Sequence, residues 1–214
     1  MIHRQKVKHD EQVARHSLII EAQRELIQIQ IKRRERLYGP LKTLLQQSKG
    51  IYDQMCQQLR SHSPERYKWE EDEESTSGMS FRTYKNGQWE IFRLLNQLPE
   101  ICENEPHVLP LVNEILLIGR QIVATIRESS GLVLAEQPEL SETMSNYLSH
   151  FIVLNEVWES VQKPSRNNLE YAVGVYPRAL NKQVDEGYDI LTKKINEWDQ
   201  RIAHEASNFF KTTG

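Results

Sequence analysis

Cysteine is scarce in this 214-residue chain: it has two, Cys56 and Cys102, in no metal-ligand spacing. Two cysteines build no disulfide framework, so a reducing compartment is expected. Glycine and proline are absent before Gly39, which leaves the first 38 residues free of helix breakers. Long apolar runs are missing as well. The longest uninterrupted aliphatic runs include Leu18–Ile20 and Ile115–Ile118, far short of the ~18 residues that a membrane span needs. Basic residues in MIHRQKVKHDEQ have no apolar core behind them, so a secretory signal is not expected and the cytoplasm is. Nor does the chain carry GxSxG, a phosphate-binding P-loop or GxGxxG. Ser129-Ser130-Gly131 reads as a helix end.

Hydrophobic residues make up 38% and charged residues 27%, with mean hydropathy −0.64. That balance fits long amphipathic helices with much exposed surface. A net charge of −3 gives no global reason to expect nucleic acid or an anionic membrane.

The stretch ERLYGPLKTLL, residues 35–45, raises the architectural question. Alternating steps of four and three from Ile27 reach Ile31, Arg34, Tyr38, Leu41, Leu45, Ser48, Tyr52, Met55 and Leu59. Eight of those ten positions are apolar or aromatic, and the phase crosses Gly39-Pro40 without slipping. A loop would reset the phase, so one long helix kinked near Pro40 is expected.

Beyond it, residues 61–87 hold SHSP, WEEDEES and the turn signal KNG, and read as one acidic loop. Helical periodicity resumes at Trp89, through Phe92, Leu95 and Leu98 to Pro99. The run PLVNEILLIGRQIVATIRES is apolar over a wide arc and predicts a central helix, opened by Pro110 and capped by Gly131. A further helix is expected over 139–162, and a last one after Pro177 with the seam Leu180, Val184, Gly187, Leu191, Ile195, Trp198, Ile202. The expectation is an all-α fold, an antiparallel bundle of four to five helices. Residues 1–36 form a charged arm and 37–210 the bundle.

Two stretches, LYGPLKTLLQQSKGIYDQM and YPRALNKQVDEGYDIL, carry a resemblance. Together they resemble a loose set of uncharacterised bacterial helical proteins with an early aromatic-x-Pro-Leu segment and a Tyr-Pro entry into the last helix. The resemblance implies an all-helical fold. Many of those proteins carry a membrane helix ahead of the Pro-Leu segment, where this chain has the charged residues 1–34. No activity comes with the resemblance, so no catalytic residue is transferred.

Function is therefore sought on the arm. Its apolar residues Leu18, Ile19, Ile20, Leu26, Ile27 and Ile31 are too thin a stripe to hold a lone helix and enough to pair with another. They point to a non-enzymatic scaffolding or accessory protein that oligomerises or docks through this helix. The arm also carries nine Lys/Arg against five Asp/Glu, a local charge of +4, densest at Lys32, Arg33, Arg34 and Arg36. Those four are candidates for nucleic-acid phosphates or lipid headgroups, although interspersed acids and the lack of aromatics favour a solvated face or pairing with Glu70–Glu74. Arg4 and His9 match in spacing the R-x-x-x-x-H pair of HEPN-type helical ribonucleases. The seven histidines form no H-x-x-x-H or H-E-x-x-H pattern, so no metal or cofactor is expected from local spacing. Spacing is silent on a pair assembled from distant segments.

Overall fold

The computed structural model describes residues 2–73, 78–162 and 175–212, with the side chains of residues 2–13, 16 and 203–212 outside the description. Within these limits the chain is mostly helical (78%), with five helices and a small three-stranded sheet. The first helix has three parts: α1 (Ile2–Arg33), one π turn (Arg34–Tyr38) and α2 (Gly39–His62). It runs through Gly39-Pro40 without a loop. Arg33, Tyr38 and Gly39 all keep right-handed helical dihedrals.

The irregularity sits one turn earlier than Pro40. Proline has no N–H for the Arg36 carbonyl and its ring crowds that carbonyl in a regular α-helix. The widened turn relieves the crowding, and the Gly39 amide donates to the Arg34 carbonyl, five residues back. A Cβ at Gly39 would lie 2.8 Å from that oxygen, so the turn closes best on glycine. All ten positions of the seam from Ile27 to Leu59 are buried or half-buried.

The rest of the core is built on α4 (Leu109–Ser129), which packs on α2 and on α5 (Glu139–Gln162). Val112, Ile115, Leu116, Ile118, Ile122 and Ile126 of α4 are buried. Gly119 lies under the Phe151 ring, where any Cβ would overlap it, and this close approach seats α5. The span Pro106–Leu132 is long and apolar enough to cross a membrane by length and composition, and 44% of its apolar window is buried inside the protein. Counting only uninterrupted aliphatic runs understates that span. Between β3 and α4 lies α3 (Leu94–Asn104), packed on α5, and the last helix is α6 (Ala179–Thr212). Two local expectations are revised. Pro99 lies inside α3, and α4 ends in a 3₁₀ turn, Ser130–Leu132, with Gly131 at negative φ.

The acidic-loop expectation is the larger correction, and the all-α one, right for most of the chain, gains a small sheet. Three strands form an antiparallel meander, β1 (Tyr67–Glu71), β2 (Met79–Lys85) and β3 (Gln88–Ile91), in the order β1-β2-β3. Asn86 and Gly87 both take positive φ, 53° and 83°, and close the β2–β3 hairpin in two residues. Trp89 is thus in a strand, and α3 begins at Leu94. Glu70 of the acidic run pairs within the sheet rather than with the arm. Glu70 meets Lys68 at 2.8 Å and Arg82 at 2.6 Å, and chiefly the Lys68 contact holds its carboxyl below the usual range.

Tyr67, Phe81 and Phe92 pack as one aromatic cluster where the sheet meets the helices, with ring centroids 5.2–6.0 Å apart. The Tyr67 hydroxyl is buried there with no hydrogen-bond partner among the described residues. Burial pushes its phenol up to about 12, with Arg66 pulling the other way. A phenol raised from ~10 stabilises the fold below pH ~10, and that contribution is lost as pH rises through the folded value. Urea midpoints should therefore hold steady up to pH ~10 and fall from there toward pH ~12. Tyr67→Phe should flatten part of the fall, and an equally steep fall in the variant would contradict the assignment.

Candidate docking arm

The seat of the arm is Tyr38, in the last position of the π turn and fully buried. Its hydroxyl donates to Gln137 Oε1 at 3.0 Å and accepts the Leu134 amide at 3.0 Å. Gln137 Nε2 in turn donates to the Gln183 carbonyl of α6 at 2.9 Å. Across from the ring, α6 presents Gly187, and any Cβ there would overlap both Tyr38 and Gln137. Three segments thus meet at one side chain: the first helix, the connection that holds Leu134 and Gln137, and α6. Burial raises the Tyr38 phenol, while the Leu134 amide and Arg33 pull it down. Ion pairs flank the seat: Lys42 meets Asp185 at 3.2 Å, and Lys194 meets Glu136 at 2.6 Å.

From this seat α1 leads away with α6 packed along it. On an α-helix Ile20, Ile27 and Ile31, at steps of seven and four, share one face. Ile27 is 5% exposed, Ile20 and Ile31 are half-buried, and Ile195 of α6 is buried outside the main core. These residues form the inward stripe.

A second stripe lies nearly opposite. Leu18, Ala22, Leu26 and Ile29 follow at steps of four, four and three, with Ile19 at the edge beside Leu26. Leu18 is 66% exposed, Leu26 61% and Ile29 45%. The six apolar residues singled out from the sequence therefore divide. Ile20, Ile27 and Ile31 face inward, while Leu18, Ile19 and Leu26 are open. Glu21, Glu25, Arg15 and Arg24 are exposed on the same segment.

The basic cluster does not present one patch. Lys32 and Arg36 are exposed, whereas Arg33 and Arg34 are half-buried, and Arg33 Nη1 donates to Gln30 Oε1 at 3.5 Å. The side chains of Arg4 and His9 lie outside the described residues. Both cysteines are free, and burial raises both thiols, Cys56 most.

One grouping escaped the sequence reading altogether. His62, Glu105 and His107 come from two distant segments, and their ligand atoms lie within 4.8 Å of one another. Glu105-x-His107 has no signature spacing, and His62 is 43 positions away from Glu105.

The seat can be tested directly. Tyr38→Phe leaves the Leu134 amide without its buried acceptor and Gln137 without its donor, at a cost of about 1–3 kcal/mol. Gly187→Ala, which overpacks the same point, should cost about 1–3 kcal/mol. Because both act on one contact, their effects in the double variant should fall short of additive, as urea denaturation would read. Strict additivity would place the two residues in independent sites. No protein-family model matches this chain, and neither a curated protein nor a solved structure does.

Proposed function

We propose that this protein is a non-enzymatic scaffolding protein that self-associates through the open stripe of α1, a second copy of the chain being the occupant. The proposal reads the five helices as an antiparallel bundle from which α1, backed by α6, carries the stripe. The observation behind it is the two-sidedness of α1. A helix apolar on one face is satisfied by one neighbour, yet α1 is apolar on two and α6 covers only the inward one.

A second copy suits the charges as well. The exposed residues around the stripe carry both signs, Glu21 and Glu25 with Arg15 and Arg24, so no single-sign partner is required. Two copies turned antiparallel bring apolar against apolar and place each sign within reach of the other, in an isologous contact. The alternative, nucleic acid held by Lys32, Arg33, Arg34 and Arg36, has less support, because the two central arginines are drawn toward the neck.

Sedimentation equilibrium decides between them. Wild type should dimerise reversibly. Leu18→Glu with Leu26→Glu should weaken the dimer by about thirtyfold or more while leaving the helical circular dichroism unchanged. Lys32→Glu with Arg36→Glu should leave it intact. A wild-type monomer at every concentration, or a dimer indifferent to the leucine substitutions, would sink the proposal. Binding to a DNA or RNA oligonucleotide that falls steeply with salt would favour the basic alternative.

A further inference from the structure

At the other end of the first helix, α2 finishes on His62. Beside it, the turn between α3 and α4 supplies Glu105, which precedes a 3₁₀ turn, and His107 within that turn. The His62 and His107 rings stand 4.3 Å apart between centroids, tilted by 47°. Both are exposed at a cleft whose other walls are Gln54, Gln57, Gln58 and Ser61.

Glu105 differs from its neighbours in burial: it is 1% exposed. A carboxylate so buried needs its oxygens satisfied. One is: Ser63 Oγ donates to Oε1 at 2.7 Å, and Arg66 Nη1 stands 3.6 Å from it. The other, Oε2, is buried and accepts no hydrogen bond among the described residues, with His107 Nδ1 3.7 Å away. Arg66 is itself shared with Glu100, so it does not turn wholly to Glu105.

We infer that His62, Glu105 and His107 bind a divalent transition-metal ion of the zinc class. Two imidazoles and one carboxylate are the borderline donor set that such ions take, and that magnesium and calcium do not. Ligands of a tetrahedral zinc stand about 3.4 Å apart, so atoms already within 4.8 Å close on the ion by small side-chain movements. The ion gives the orphaned Oε2 a partner. The Ser63 hydroxyl and the Arg66 guanidinium hold the opposite oxygen and aim the carboxylate, the outer-shell role that metal carboxylates need. Three protein ligands leave a coordination position facing the cleft, where water reaches it. The site also ties the end of α2 to the turn before α4.

Full-length protein stripped with a chelator and dialysed should take up one Zn²⁺ per chain in titration calorimetry at neutral pH. His62→Ala, at an exposed position where the fold loses little, should weaken uptake at least tenfold, as should His107→Ala. Substitution with Co²⁺ should give visible absorption bands of a nitrogen- and oxygen-ligated site, lost in His62→Ala. His16→Ala, at a histidine remote in sequence from the cluster, should change nothing. Absence of saturable Zn²⁺ uptake by the wild type would overturn the inference. So would uptake that His62→Ala and His107→Ala leave unchanged, which would locate the ion elsewhere.

Discussion

Everything distinctive about this fold depends on the burial of Tyr38 in a turn one residue too wide. Pro40 cannot complete the α-helical ladder, and the π turn before it absorbs the mismatch without ending the helix. The ring then fills the space that Gly187 leaves open, and its hydroxyl satisfies Leu134 and Gln137 together. One side chain thereby joins the first helix to the α4–α5 connection and to α6. Remove the glycine's openness or the hydroxyl, and the direction in which α1 leaves the neck is no longer fixed.

With that direction set, the first helix becomes an axis with different business at each end. From Ile2 to His62 it spans roughly 90 Å at 1.5 Å per residue. The N-terminal part carries one apolar stripe against α6 and another open to water. The C-terminal part is buried by α4 and ends at His62, next to a buried carboxylate with an unmet oxygen. The core between them is apolar, and α4, its central element, contributes a scaffold rather than reactive groups.

The parts legible in the sequence are those written in long periods. The phase from Ile27 to Leu59, the wide apolar arc of α4, the limits of α5 and the seam of α6 from Leu180 to Ile195 each span several turns, so their patterns outvote local exceptions such as the exposed Ile202. The sheet was not legible because its strands are four to seven residues long and rich in charge. In Tyr67–Glu71 an acid that suggests a solvated loop, Glu70, pairs with Lys68 and Arg82, and the Arg82 contact is visible only once β1 lies beside β2. The arm's leucines and isoleucines were recognisable as a group. Their division into two faces depends on where α6 lies. His62, Glu105 and His107 had no local signal, since only the tertiary fold brings the helix end to the turn.

The most direct test of this account is a distance along the first helix. Spin labels at Gln23→Cys and Gln47→Cys, both exposed positions, can be placed with Cys102→Ser as background and an excess of unlabelled chain. A helix continuous through the π turn sets them about 36 Å apart, in a narrow distribution, by double electron–electron resonance. A distance below about 20 Å would mean that the chain turns back at Gly39-Pro40. The outward stripe of α1 would then have no basis.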